Sequence, residues 1–297
     1  MKFTRSTPRD LNDDGLVDVA LATYSGEIWV CLQNGGGSWT EIEVAGTGSS
    51  IGSLRLADFD GDGKDDIAVS LYDQGDILWF KNPLPGGSTW ESNLVHQSDS
   101  PREVIPADMD DDGDPDILCA SEGQGVFICW NQDGTGTSWS VEPVDPSLLP
   151  AHNVAAADMD NNGTMDVTAS GGDAGGIFLY NAPLWEKHTV VDSVGVIEDI
   201  AAGDLNGDGL PDVAATSLTN FRTRTYENPG DPPGNGPKPW WVMRGACALS
   251  SRTWTRTETW ISFPQARCLT TPRYVSRARR VSGSYTSPTL GPAASAT

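Results

Sequence analysis

The sequence predicts an all-β fold built from repeated four-stranded units, and three observations predict it. A nine-residue acidic loop recurs five times, with starts 48, 50, 50 and 46 residues apart. A short apolar strand follows each loop, as in Asp66-Ile-Ala-Val-Ser, Asp116-Ile-Leu-Cys-Ala and Asp212-Val-Ala-Ala-Thr. Aromatic landmarks then recur at matching places. A fixed period near 50 residues marks a repeat architecture. Four short strands per period is the pattern of a β-propeller blade, and about five blades are readable.

The loops come first because they carry the chemistry. Positions 1, 3, 5 and 9 hold side-chain oxygens in every copy. They are Asp10, Asn12, Asp14 and Asp18, then Asp58, Asp60, Asp62 and Asp66, then Asp108, Asp110, Asp112 and Asp116. The fourth and fifth sets are Asp158, Asp160, Asn162 and Asp166, and Asp204, Asn206, Asp208 and Asp212. Calcium is a hard cation that takes six to eight oxygens at about 2.3–2.6 Å. Alternate residues of a tight loop can turn such oxygens toward one centre. Position 6 is glycine throughout (Gly15, Gly63, Gly113, Gly163, Gly209), as a sharp turn with positive φ requires. At position 7 a backbone carbonyl can complete the shell, so Leu16, Lys64, Asp114, Thr164 and Leu210 all serve. One calcium per loop, up to five in all, is the expectation. The all-Asp second and third loops are expected to bind most tightly. An EF-hand is excluded, because it needs a bidentate Glu at position 12. That position holds Leu21, Val69, Cys119, Ala169 and Ala215.

The second unit lays out the rest of a blade. A strand over 53–58 enters the loop, and a second runs from 67 to about 72. Gln74-Gly75 turns the chain into a third strand over 76–81, which ends at Asn82-Pro83. A Gly/Pro stretch leads to a fourth at 90–95. Phe80, Trp130, Tyr180 and Tyr226 mark the third strand, and Trp39, Trp90, Trp139 and Trp185 open the fourth. Packing between blades accounts for these rings better than ligand binding does.

Loops and following strands together resemble the FG-GAP/VCBS repeat family, the calcium-loop propellers also seen in integrin α subunits. The resemblance covers residues 1 to about 230. It implies calcium ligands at the Asp and Asn positions named above. It also implies a parent ring of seven or eight blades, of which the five readable here would be a part. The Phe-Gly and Gly-Ala-Pro signatures are absent, which places the kinship nearer the VCBS type.

Composition narrows the function. The net charge is −22 and the pI about 4.2, and 21 of the 41 acidic residues lie within the five loops. Such a surface is a poor nucleic-acid partner. No apolar run approaches the roughly 20 residues of a membrane span. The opening residues read as lacking a signal peptide, and with few residues before Asp10 the expectation is an incomplete N-terminus and first strand. Cys119 and Cys129 flank a turn centred on Gln124, which places them opposite each other on adjacent strands, either as a cross-strand disulfide or as small core residues. His96, His152 and His188 are dispersed and read as ordinary strand or loop residues.

The chain changes character after about Asn228. Residues 238–297 hold nine Lys/Arg and one Glu, against a strongly acidic remainder. Residues 231–297 therefore read as an aberrant tail. In the neighbouring reading frame, Trp254-Thr255 must encode Asp and Trp260-Ile261 must encode Asp. The remaining codons of 252–261 admit Asp-Val-Asp-Ala-Asp-Gly-Asp-Met-Asp, a sixth loop 49 residues after Asp204. A frameshifted sixth repeat is the expectation.

A propeller fold does not fix a function. Millimolar extracellular calcium suits loops of this kind. The expectation is an extracellular or cell-surface module that binds a protein or carbohydrate partner. The alternatives are a catalytic propeller acting on polysaccharide and a structural repeat of a larger surface protein. No catalytic cluster of Lys, Arg, His, Tyr or paired carboxylates is legible, so no catalytic residue is assigned.

Overall fold

A computed structural model describes residues 3–172, 175–219, 221–230 and 242–248. Its elements are all strands, with no helix among the described residues. Five antiparallel four-stranded sheets follow one another in chain order. The first contains β1 (Phe3–Arg9), β2 (Asp18–Thr23), β3 (Glu27–Gln33) and β4 (Trp39–Gly46). In the second are β5 (Ile51–Ala57), β6 (Asp66–Leu71), β7 (Asp76–Lys81) and β8 (Glu91–Gln97). The third has β9 (Pro101–Ala107), β10 (Asp116–Ser121), β11 (Gly125–Asn131) and β12 (Trp139–Asp145). The fourth has β13 (Ala151–Ala157), β14 (Asp166–Gly171), β15 (Gly176–Asn181) and β16 (Glu186–Val191). The fifth has β17 (Ile197–Gly203), β18 (Asp212–Ser217), β19 (Arg222–Glu227) and β20 (Val242–Ala248).

Register explains where the acidic loops fall. Each connects the first and second strands of its sheet, and position 9 pairs with the residue just before position 1. The pairs are Arg9 with Asp18, Ala57 with Asp66, Ala107 with Asp116, Ala157 with Asp166 and Gly203 with Asp212. All five loops therefore stand at the same end of their sheets.

Alternation along the strands builds the core between sheets. Successive residues of a strand face opposite sides. In β10 and β11, Ile117, Cys119, Phe127 and Cys129 pack toward the second sheet. Their neighbours Leu118, Ala120, Val126 and Ile128 pack toward the fourth. Four apolar clusters result, one between each consecutive pair of sheets. Each buried Ile, Leu or Val contributes about 1.5–3 kcal/mol. Packing partners run β1 on β5, β5 on β9, β9 on β13 and β13 on β17, and among the described residues the row does not close on itself.

Position 2 of the first four loops joins this core. Leu11, Phe59, Met109 and Met159 are buried in the cluster shared with the following sheet. Leu205, at the same position in the fifth loop, is 55% exposed.

Several expectations are corrected. The strand over 53–58 runs Ile51–Ala57 and the one at 90–95 runs Glu91–Gln97, because pairing rather than side-chain pattern sets their ends. The first loop is preceded by a seven-residue strand, β1, as long as β5 or β9. The fifth sheet takes its last strand from 242–248, beyond the boundary expected at 230. Of the two readings of Cys119 and Cys129, the small core residues hold, for both are free and buried. The turn pairs Ser121 with Gly125, so Cys119 faces Phe127 and Cys129 faces Ile117. The cysteines are thus diagonal neighbours rather than opposite ones. The sixth loop expected over 252–261 lies outside the described residues.

Candidate metal centres

The loop backbone is wound around its own carboxylates. The position-1 aspartate accepts the N–H of position 5 at 3.0–3.2 Å and that of position 6 at 2.8–3.1 Å in all five copies. The position-5 side chain accepts the N–H of position 7 (Leu16, Lys64, Asp114, Thr164, Leu210) at 2.8–3.1 Å. These bonds need two left-handed residues. Position 6 supplies one, with φ from 80° to 97° at Gly15, Gly63, Gly113, Gly163 and Gly209. A side chain there would meet nothing within 4 Å, so backbone conformation rather than space demands glycine. The other is position 4, where Asp13, Gly61, Asp111, Asn161 and Gly207 all have positive φ. Asp, Asn and Gly are the residues that visit this region at least cost. That signal was present in every copy.

Position 9 is the keystone. Asp18, Asp66, Asp116, Asp166 and Asp212 are buried at 0–2% exposure. One oxygen accepts the position-2 N–H at 2.9–3.2 Å. The other accepts an N–H at the end of the third strand, from Gln33, Asn82, Asn131, Ala182 or Asn228, at 2.7–2.8 Å. Each carboxylate oxygen has a second lone pair, so these bonds leave acceptor capacity toward the loop centre.

The donor set suits a hard cation. Oxygens of Asp58, Asp60 and Asp62 lie within 4.8 Å of one another, as do those of Asp108, Asp110 and Asp116 and of Asp158, Asp160 and Asp166. In the first and fifth loops an asparagine replaces the position-3 carboxylate. Asn12 donates to Asp14 at 3.1 Å and Asn206 to Asp208 at 2.9 Å.

Electrostatics carries the same message. Burial, with the charges of Asp60 and Asp62 adding to it, raises Asp66 to about 7 against two opposing backbone hydrogen bonds. Asp116 is raised to about 7 and Asp166 to about 6 for the same reasons. Asp212 is also raised, chiefly by burial. Crowded carboxylates at a half-closed site are strained by their own charge, and a bound cation relieves that strain.

Two features escaped the sequence reading. Asn82, Asn131 and Asn228 each send a side-chain N–H back to the position-2 carbonyl of the preceding repeat, at 2.9, 3.0 and 2.6 Å. A recurring Asn after the third strand was the visible signal. The second feature is a polar group expected to be absent. Glu122 accepts the Tyr72 hydroxyl at 2.7 Å and Arg102 at 2.8 Å, with His152 4.0 Å away. Its members come from three successive sheets, at separations no local pattern reveals.

The geometry defines an all-β repeat protein whose sheets each present an acidic loop at one end, and in the second, third and fourth the carboxylates lie close enough together that they could hold a metal ion. Models of the FG-GAP-like repeat match residues 10–69, 58–119 and 108–169, and a model of the FG-GAP repeat matches 198–226. Each span of the first kind begins at a loop's position 1 and runs through the next loop. The chain belongs to the FG-GAP repeat family. No curated protein matches it. Among solved structures it is similar to the V. cholerae biofilm matrix protein Bap1, at 18% identity and a TM-score of 0.45. That alignment covers 75% of this chain and 37% of Bap1. The described residues include no helix long and apolar enough to cross a membrane.

Proposed function

We propose that this chain is a calcium-stiffened β-propeller segment of an extracellular or cell-surface protein, and that it presents its surface to a protein or carbohydrate partner. The supporting observation is the convergence of loop carboxylates in successive repeats, each set tied to the core through position 9. Calcium supplies the charge that offsets those carboxylates and a cross-link between the loop and the second strand. The chain's own residues do the rest. Positions 1, 3, 5 and 9 offer side-chain oxygens, and position 7 offers a carbonyl. Position 2 anchors the loop to the next sheet, so ordering the loop stiffens the junction between repeats. Sites of this kind work near 10⁻⁴–10⁻³ M, which suits the outside of a cell. A glycan array, and pull-down against surface proteins with and without calcium, tests the partner class. Binding that ignores calcium would count against the reading.

The group around Glu122 supports a second reading, a propeller that acts on polysaccharide. Tyr72 and His152 stand beside a carboxylate and a guanidinium. Turnover of an acidic polysaccharide that Tyr72→Phe abolishes would favour this reading. No turnover by the intact chain returns these side chains to a purely structural role between sheets.

A further inference from the structure

The second loop carries a carboxylate at all four ligand positions, yet its centre is contested from within. Lys81 closes β7, and its Nζ pairs with Asp60 Oδ2 and lies 3.1 Å from Asp62 Oδ2. Lys64 Nζ stands 3.8 Å from the same Asp62 oxygen. Two of the four side chains that would ligate an ion therefore already hold an ammonium. The placement follows from register. Lys81 precedes Asn82, whose N–H caps Asp66. The same position in the other sheets holds Leu32, Trp130, Asn181 and Glu227. Its reach to position 3 is a property of the site, because Asn181 Nδ2 donates to Asp160 Oδ2 at 3.2 Å. Lysine stands there in the second sheet alone, and Glu227 brings a negative charge to the fifth loop near Asp212.

We propose that Lys81 is a tethered cation that stands in for the metal ion in the second loop. The third-strand position before the capping residue then sets the metal affinity of each loop. This rests on the reading that the other loops bind calcium. An ammonium held at two ligand carboxylates satisfies part of their charge and repels a divalent ion at short range. A calcium ion must displace it or bind beside it. The second loop is thus held in its folded form at low calcium, and the third, with Trp130 at that position, is the tight site. A ranking by carboxylate count alone would place the two together.

The test is calcium stoichiometry on the full chain by equilibrium dialysis, with melting in EGTA to verify folding. Wild type, Lys81→Gln, Asp62→Ala and Asp112→Ala are compared. We expect the second loop of Lys81→Gln to gain about tenfold in affinity, so that the variant binds up to about half an ion more than wild type near 0.1 mM calcium. Asp62→Ala should leave the wild-type count nearly unchanged, and Asp112→Ala should lower it measurably. In EGTA, Lys81→Gln should melt below wild type, a loss a merely exposed lysine would not produce. If Lys81→Gln leaves the count unchanged while Asp62→Ala removes an ion, the proposal is overturned and calcium binding stands. If wild type binds no calcium at all, the calcium reading falls and takes the proposal with it.

Discussion

The side-chain amide of Asn82 donates to the carbonyl of Leu11 at 2.9 Å, linking residues 71 positions apart. Its backbone N–H caps Asp66 at the same time. One residue thus joins the keystone of its own loop to the preceding loop, and Asn131 and Asn228 repeat the arrangement. Loop and sheet junction are parts of one structure.

Removing that link should loosen the junction. Asn82→Ala leaves the buried Leu11 carbonyl without its donor, and is expected to cost about 1–3 kcal/mol. Asn131→Ala should cost a similar amount. Equilibrium urea unfolding measures both. A loss below a few tenths of a kcal/mol would mean the bond only accompanies the packing.

Loop conformation gives a paired test. Gly113→Ala places a Cβ on a residue with φ of 97° and should cost about 1–2 kcal/mol. Asp111 sits at φ of 62°, so Asp111→Gly should be neutral or stabilising in the metal-free chain. Equal losses for the two variants would contradict the assigned backbone.

The raised carboxylates set a pH dependence with a definite sign. In the folded chain Asp66 and Asp116 titrate near 7 and Asp166 near 6, above the ordinary 3.8. Between those values the folded state holds protons that the unfolded state has lost. Stability of the metal-free chain therefore falls as pH rises from about 4 to 7. Asp145 runs the opposite way. It is held near 2 by Lys187, Ser147 and Tyr180 against its own burial, and its contribution is lost only in strong acid. Thermal melts in EGTA should drop across about pH 4 to 7. Adding calcium near pH 6.5 should release protons, read with an indicator in weak buffer. A metal-free melt that rises with pH would contradict the assignment.

Leu205 gives a reason to look beyond the described residues. Its four counterparts are buried under the following sheet, whereas it is 55% exposed. A sixth repeat would cover it. Sequencing the DNA around codons 225–261 tests the frameshift. A neighbouring frame without Asp-x-Asp-x-Asp-Gly-x-x-Asp there removes it.

Much of this was legible in the residues. The loops, their glycine turn and the four-strand period were visible because each is local and repeats. Strands such as β6 (Asp66–Leu71) declared themselves by mostly apolar runs, since both of their faces are buried. Strand ends were less legible, because hydrogen-bond register fixes them and no side chain reports it. β20 was missed because its stretch lacks the alternation of the other outer strands. Within the site, the ligand positions were readable but their neighbours were not. Lys81 lies 21 residues from Asp60 in sequence, and only the pairing of β6 with β7 brings it to the loop. The Glu122 group needs three sheets in place before it exists.

The central claim is that these loops bind calcium and that binding stiffens the repeats. Thermal melting of the full chain in EGTA, in 2 mM calcium and in 2 mM magnesium tests it most directly. At a Kd near 10⁻⁴ M each occupied loop adds about 1.5–2 kcal/mol. Several loops should therefore raise the midpoint by many degrees in calcium. Magnesium demands octahedral geometry and retained waters, and should raise it little. A midpoint that does not move between EGTA and calcium would contradict the account.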